Sequence, residues 1–219
     1  MTKSIKYFLL VMMLAFASTS AWATPACSTV LGTDVLTGGF ECSAGALSFS
    51  NFYTIGGAAA GVAQIKISAV TEAPGDVLLS FQFVPALFNG GFTFFYTVTG
   101  PMGMHQLYNL NGGQPTSIIA EQACDEAWTG QACLGTVVAF NTTIVPGTPI
   151  ATSNWFGPLN EYFVKKDIST FPLGQGSTAI SAISDFQNGH RYEPVPEPGT
   201  YALMGAGLLG LALFRRRRA

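Results

Sequence analysis

The chain has 219 residues, of which 48% are hydrophobic and only 10% are charged, and its net charge at pH 7 is −2. That value hides an asymmetry, because the segment from Thr24 to Glu197 holds four basic residues and all twelve acidic ones, a net charge of −8. An acidic body without a basic patch excludes nucleic acid as a partner, and the many Gly, Ser, Thr, Val and Phe residues are typical of exported β-rich proteins.

The first predicted element is a Sec-type signal peptide over residues 1–23. Two lysines precede a ten-residue apolar run at 7–16, and Ala21 and Ala23 form a small-x-small cleavage site. The Sec translocon and signal peptidase are therefore expected partners, and the mature chain would start at Thr24 in an oxidising compartment. An uncleaved anchor is the alternative, but the apolar run is short for a membrane span.

Residues 24–194 then form an ectodomain of about 170 residues, which is enough for one domain with its own core. Its four cysteines are an even number in an exported chain and predict disulfides. Three pairings are possible, and we favour the two local ones, Cys27–Cys42 and Cys124–Cys133. A zinc site is the competing hypothesis, although the spacing lacks C-x-x-C and no histidine is near.

The ectodomain is predicted to be all-β, because short apolar or alternating runs are separated by Gly, Pro and Asn turn signals. The number and spacing of the runs favour a two-sheet sandwich or jelly roll. The region Thr33–Gly39 is expected to hold a short helix or turn. The predicted strands are Ala46–Tyr53, Ala63–Ala69, Asp76–Val84, Gly91–Thr99, Ser117–Ala123, Gly135–Ile144, Tyr162–Ile168 and Thr178–Gln187.

Alternating aromatic residues in these strands predict the core. An aromatic sugar-stacking face is the alternative interpretation, but half-buried strands alternate in this way. The expected core donors are Phe81, Phe83, Phe92, Phe94, Tyr96 and Phe140.

The same region offers few candidates for chemistry. The best patch for a carbohydrate ligand is Trp155, which lies beside amide side chains, and Trp128 is a second possible ligand contact. The adjacent Asp125 and Glu126 suit a glycosidase pair poorly, because neighbouring strand residues point to opposite faces. His105 and His190, the two histidines of the chain, are predicted on the surface or in loops. We therefore expect no catalytic residue, no cofactor and no metal.

The last segment, 195–219, has three parts. The first is the sequence Val195, Pro196, Glu197 and Pro198, in which the two prolines keep the preceding residues extended and open to a processing enzyme. The second is an apolar helix predicted over 201–214, which spans roughly 21 Å against a hydrocarbon core of about 30 Å.

Four arginines follow that short predicted helix and favour its location in a membrane. Their long side chains can snorkel to lipid headgroups and extend the effective span. Positive charge on this side predicts a cytoplasmic C-terminus at the inner membrane, with everything before Pro196 outside. A nucleic-acid or nuclear signal is disfavoured by the position directly after an apolar segment. The four are Arg215, Arg216, Arg217 and Arg218.

The Val-Pro-Glu-Pro sequence, the glycine-rich apolar stretch and the arginine cluster resemble the PEP-CTERM sorting signal of Gram-negative bacteria. The resemblance implies recognition by a membrane-embedded exosortase, which cleaves near the motif and passes the ectodomain to the cell surface. In that case Pro196, Glu197 and Pro198 are substrate residues and not catalytic ones.

A looser resemblance covers the ectodomain. The segments CSAGALSFSNF, FTFFYTVTG, VKKDIST and ISAISDFQN are similar to those of small exported PEP-CTERM proteins of unknown function. This resemblance implies an exported β-sandwich and no catalytic residues. The sequence thus predicts an envelope or extracellular-matrix protein with a structural or adhesive role, and the alternatives are a carbohydrate-binding module for exopolysaccharide or a secreted hydrolase.

Overall fold

The described part of the chain is built from β-strands joined by turns and loops. The computed structural model describes residues 24–27, 33–36, 38–56, 62–88, 90–111, 116–171 and 182–194, so the predicted signal peptide and sorting segment lie outside the described residues. Within those ranges, no helix is long and apolar enough to cross a membrane. The strands are β1 (Thr33–Asp34), β2 (Cys42–Ala44), β3 (Leu47–Ile55), β4 (Gln64–Ala73), β5 (Asp76–Phe88), β6 (Gly91–Asn111), β7 (Ser117–Cys124), β8 (Trp128–Thr129), β9 (Ala132–Cys133), β10 (Val137–Val145), β11 (Ile150–Thr152), β12 (Phe156–Thr170) and β13 (Ala182–Pro194).

The longest strand, β6, belongs to both halves of an eleven-stranded antiparallel sheet. Its first half pairs with β3 on one side and β12 on the other, and its second half pairs with β13 and β11. Pairing continues from β12 to β7 and β10, and from β13 to β5, β4 and β1, while β2 extends β3. The two halves face each other as a sandwich, which confirms the predicted all-β, sandwich-like class.

An aromatic core fills the space between the halves. The Phe81 ring of β5 lies 5.2 Å from the ring of Phe94 on β6 and 4.9 Å from that of Phe186 on β13. Such offset and edge-on pairs add to the free energy gained by burying apolar area. The predicted core residues Phe81, Phe83, Phe92, Phe94 and Tyr96 are all buried, so that prediction is confirmed.

Phe140 was wrongly assigned to the core, because its side chain is 58% exposed. Strand β10 alternates strictly, and its inward positions are taken by Ala139, Asn141, Thr143 and Val145. The polar residues Asn141 and Thr143 face the interior, so the period of two places Phe140 in solvent. The error arose from judging the side chain by hydrophobicity instead of by its partners.

Strand β6 is also longer than predicted, since it continues from Thr99 to Asn111. Gly100 and Pro101 mark a break in the sequence pattern, but they lie where β6 passes from one half of the sandwich to the other. Among the described residues, 100–102 have no partner in the strand register, so the missing N–H of Pro101 removes no ladder hydrogen bond. The predicted helix or turn at Thr33–Gly39 is the two-residue strand β1 followed by turns in the residues described there.

Candidate functional site

A hairpin closed by a disulfide covers the outer face of the β3–β6–β12 region. Cys124 and Cys133 are bonded, with Cα atoms 5.9 Å apart, and β8 and β9 pair between them. The Trp128 indole N–H donates a hydrogen bond of 3.0 Å to the Phe163 carbonyl, and Gln131 Nε2 donates one of 3.2 Å to Thr93 Oγ1. The hairpin therefore fixes Trp128 on the sheet, beside a groove.

This groove has a volume of about 200 Å³ and an aromatic wall. The Tyr53 ring is 41% exposed and stacks on buried Phe95 at 4.5 Å, and Trp128 closes the other side with its centroid 6.3 Å from that of Phe95. The polar lining includes Asn51 and Thr97, which share a hydrogen bond of 3.3 Å. Exposed ring faces beside amide and hydroxyl groups suit the apolar faces and hydroxyls of a sugar ring.

Asn51 shapes the groove through the backbone. Its φ is +53°, in the left-handed region, and the pairing register of β3 with β6 shifts between Ser50 and Tyr53. This is the geometry of a β-bulge, which re-aims side chains at the edge of a sheet. Asn51 also lines a second hollow of about 150 Å³, together with Glu41 and Ser50 among others. The bulge therefore contributes to the walls of both hollows.

The other candidate tryptophan, Trp155, lies in a different cleft. Its side chain is 41% exposed and faces the β4–β5 turn and the end of β13. Gly75 in that turn has a φ of +83° and its carbonyl accepts a hydrogen bond of 2.8 Å from the Tyr192 N–H. Arg191 in the same cleft pairs with Asp76 at 3.0 Å. The structure thus does not bring Trp155 and Trp128 into one site.

Between the two halves lies a closed ring of four buried polar side chains. Lys166 Nζ lies 2.7 Å from Glu121 Oε1 and donates to Asn109 Oδ1. Asn109 Nδ2 donates to Asn141 Oδ1 at 2.8 Å, and Asn141 Nδ2 donates to Glu121 Oε2 at 2.8 Å. Burial lowers the pKa of the Lys166 ammonium, while the Glu121 charge and hydrogen bond oppose that shift. The donors and acceptors close a circuit, which is how a charge pair is tolerated inside a protein.

His190 continues this network, so the predicted surface position of His190 is wrong. It is fully buried, with Nε2 3.1 Å from the Tyr96 hydroxyl and Nδ1 2.9 Å from the Tyr162 hydroxyl. Because the Tyr96 hydroxyl donates to Asn188 Oδ1, its oxygen accepts from His190 Nε2–H, and Nδ1 then accepts from Tyr162. Burial first, and then the Lys166 charge and His105, hold the pKa of His190 well below its usual value, so the ring is neutral.

His105 is also buried, which makes the same prediction wrong for the second histidine. Its Nε2 lies 2.9 Å from the Leu159 carbonyl, and its ring packs 4.9 Å from that of Tyr162. Burial lowers the pKa of His105, and the Leu159 hydrogen bond opposes that shift. Both histidines therefore belong to the interior of the sandwich, on strands β6 and β13.

The two cysteine sulfurs and one carboxylate oxygen of Cys124, Asp125 and Cys133 lie within 4.8 Å of one another, but their chemistry does not suit a metal ion. Both sulfurs are consumed by the disulfide. Asp125 Oδ1 accepts a hydrogen bond of 2.6 Å from the Thr136 N–H, so this carboxylate stabilises the turn that follows the hairpin. The other predicted disulfide is also formed, between Cys27 and Cys42.

The sorting residues predicted from the sequence lie outside the described residues, but the strand that leads to them is described. β13 ends at Pro194, whose register partner is Gly103 of β6. The sequence did not reveal the polar network, although a signal existed. Glu121 and Lys166 occupy inward positions of alternating strands between apolar neighbours, and such a placement of opposite charges indicates a buried pair.

Comparisons with known proteins concern the whole sequence, the fold and the sorting segment of this chain. No curated protein matches the chain in sequence. A solved carbohydrate-binding module, TmCBM61 in complex with beta-1,4-galactotriose, is similar at 11% identity over 77% of this chain and 99% of the module, with a TM-score of 0.32. That similarity is too low to bear on the fold or the ligand of this chain. Residues 194–218 match the family model of the PEP-CTERM protein-sorting motif, so the resemblance seen in the sequence is confirmed and this chain carries the sorting signal of exosortase substrates.

Proposed function

We propose that this chain is a non-enzymatic surface or extracellular-matrix protein with a structural or adhesive role. The observation that carries the proposal is the sorting motif at 194–218, which begins where the last strand ends. Two disulfides suit an oxidising location outside the cytoplasm. Lys166 pairs with Glu121, and His190 contacts the Tyr96 and Tyr162 hydroxyls. None of Lys166, Glu121 and His190 lines the groove beside Trp128 or the cleft at Trp155, which favours a structural role for them.

The proposed route has three steps. The Sec translocon exports the chain and signal peptidase removes residues 1–23. The apolar helix 201–214, with Arg215–Arg218 on its cytoplasmic side, then holds the ectodomain at the inner membrane. Exosortase finally cleaves near Pro196–Pro198 and passes the ectodomain to the cell surface.

The route is tested by intact-mass analysis with cell fractionation of wild type and of Pro196→Ala plus Pro198→Ala. We expect a wild-type product that starts at Thr24, ends near Pro196 and leaves the inner membrane, whereas the double variant keeps its arginine cluster and stays there. If wild type also keeps the cluster and stays in the inner membrane, the tail is a plain anchor and the surface assignment is wrong.

A second candidate function is binding of the cell's own exopolysaccharide in the groove beside Trp128. The favouring observation is the exposed Tyr53 ring, which stacks on Phe95 and lines an open hollow together with Asn51 and Trp128. Trp155 is less suited, because its cleft is lined by the Arg191–Asp76 ion pair and by Glu193.

This candidate is tested by a glycan array followed by titration calorimetry with the purified exopolysaccharide. Replacing an exposed stacking ring removes roughly 1–2 kcal/mol of binding free energy, so Tyr53→Ser is expected to weaken binding about tenfold. Phe140→Ser is the matched control, since Phe140 is an exposed aromatic residue on the edge strand β10. Equal losses in both variants, or no glycan bound by wild type, would remove carbohydrate recognition at this groove.

A further inference from the structure

The sorting segment begins directly at the end of an inner strand. β13 lies between β5 and β6, and it is paired with β6 up to Glu193 opposite Met104 and Pro194 opposite Gly103. The end of β13 is therefore fixed to the sheet by its pairing with β6 and by the hydrogen bond from the Tyr192 N–H to the Gly75 carbonyl. Any membrane segment that follows is tied to this end of the sandwich, which we call the β13 pole.

The chain between the pole and the predicted membrane helix is short. Six residues, 195–200, separate Pro194 from Tyr201. Even a fully extended chain of this length spans at most about 25 Å, at 3.3–3.6 Å per residue. The headgroup layer beyond the hydrocarbon core takes up several ångströms of that distance. An anchored ectodomain must therefore hold its β13 pole close to the lipid headgroups.

The β13 pole carries side chains that suit such a surface. Trp155 is 41% exposed and lies in one cleft with Arg191 and Glu193, and Met102, directly before Gly103, is 47% exposed. Tryptophan concentrates at membrane interfaces because its large ring is apolar and its indole N–H is polar.

The net charge of the ectodomain and the local charge at the pole act in opposite directions. The ectodomain as a whole is acidic, so its net charge opposes contact with anionic lipid. Lys165 and Lys166 are buried in ion pairs, whereas Arg191 keeps 46% of its side chain exposed at the pole while it pairs with Asp76. The pole thus presents a half-exposed cation beside a tryptophan, in a cleft that also holds the carboxylates of Asp76 and Glu193.

We infer that, before cleavage, the β13 pole docks on the outer-leaflet surface of the inner membrane, with Trp155 and Met102 in the interface and Arg191 near the lipid phosphates. The inference rests on the proposed membrane anchor. It predicts an orientation in which the far pole, where β12 ends and Phe171 is exposed, points away from the bilayer. Docking would present the segment 195–200 to a membrane-embedded protease at a fixed height.

The test places one tryptophan at either end of β12. Trp155 directly precedes this strand and Phe171 directly follows it, and their exposed fractions are similar at 41% and 47%. The full-length protein is prepared with Trp22→Phe and Trp128→Phe, so that Trp155 is the one fluorophore. The matched control adds Trp155→Phe and Phe171→Trp. Both are reconstituted in phosphatidylcholine–phosphatidylglycerol vesicles with or without brominated acyl chains, and flotation is measured first.

We expect both proteins to float with the vesicles, and brominated lipid to quench Trp155 emission at least about twofold while leaving the control unchanged. Flotation without quenching of Trp155, or equal quenching of both proteins, would overturn the docking while leaving the anchor intact. A failure to float would overturn the anchor of the proposed function and the docking with it.

Discussion

Lys166 Nζ lies 2.7 Å from Glu121 Oε1, and neither side chain has any exposed surface. The pair joins β12 to the adjacent strand β7, and Asn109 and Asn141 extend it to β6 and β10. Water cannot replace a lost partner readily at such depth. Removing one partner is therefore expected to destabilise the fold, because the remaining charge would be buried without solvent around it.

Lys166→Met is expected to lower the free energy of unfolding by about 3–5 kcal/mol, because it leaves the Glu121 carboxylate buried and uncompensated. Urea unfolding monitored by circular dichroism measures the loss. Lys165→Met is the matched control, since the neighbouring lysine points to the outer face, where it pairs with half-exposed Asp167 at 3.2 Å and lies 5.0 Å from the Trp128 ring. That control is expected to cost about 1 kcal/mol.

A second variant separates charge from packing. Glu121→Gln combined with Lys166→Met removes both charges and keeps most of the volume, so we expect it to recover part of the stability lost in Lys166→Met alone. The uncompensated-charge explanation would be contradicted if the double variant lost more unfolding free energy than the two single variants lose when their losses are added.

His190 predicts a loss of stability in mild acid. Its folded-state pKa is held well below the ordinary value near 6.5. In mild acid the unfolded chain therefore binds a proton at His190, whereas the folded chain does not. The stabilising difference is fully present above the unfolded pKa and falls as the pH drops below it. Between about pH 7.5 and pH 5.5 we expect a loss of roughly 1 kcal/mol from this residue.

The measurement is the free energy of unfolding as a function of pH. His190→Gln keeps an amide near the position of Nε2 but cannot titrate, so its pH profile should be flatter than that of wild type by about 1 kcal/mol over the same range. A profile as steep as that of wild type would assign the acid sensitivity elsewhere. His105, whose pKa is also lowered by burial, contributes in the same direction and remains in both proteins.

The sequence was most informative where one local rule decided the outcome. Alternating apolar residues and turn glycines predicted eight strands, each of which overlaps an observed one, but they missed the short strands β1, β2, β8, β9 and β11. The local spacing of Cys124 and Cys133 favoured the disulfide that the structure contains. The sorting segment was identified from its own residues because a short motif carries that signal, and it needs no tertiary contact.

What the sequence could not supply was the partner of each polar side chain. His190 occurs in a polar stretch of β13, and only the pairing of β13 with β6 and its packing against β12 bring it between Tyr96 and Tyr162. The groove beside Trp128 depends in the same way on a hairpin folding back onto Phe95 and on the bulge at Asn51. These are long-range relationships, which periodicity in one strand does not encode.

Tyr108 and Gly189 give a third prediction. They are register partners on β6 and β13, and a Cβ on Gly189 would lie 1.7 Å from Tyr108 Cζ. The ring is held there by its hydroxyl, which donates to Asp76 Oδ1 at 3.1 Å, and by the Arg191 guanidinium at 4.7 Å. Gly189→Ala must displace the ring, and we expect a loss of about 2–3 kcal/mol in unfolding free energy.

The control for this steric explanation is Gly38→Ala, where a Cβ meets no atom within 4 Å; its effect should stay within about 0.5 kcal/mol. Combining Gly189→Ala with Tyr108→Ala removes the clash, so the two changes should cost less together than separately. Additive losses would show that the ring is not what excludes a side chain at position 189.

Loss of the Cys124–Cys133 disulfide is expected to have an effect that loss of the Cys27–Cys42 disulfide does not have. Replacing Cys124 and Cys133 with Ala should cost about 2–3 kcal/mol. Replacing Cys27 and Cys42 should cost about as much, because the sequence separations of 9 and 15 residues differ little on the logarithmic scale of loop-closure entropy. Only the first change should loosen the hairpin over Phe95, so in a background with Trp22→Phe and Trp155→Phe the emission of Trp128 should shift to longer wavelength. An equal shift in both pairs would mean that Trp128 is held by the sheet alone and that the disulfide does not define the groove.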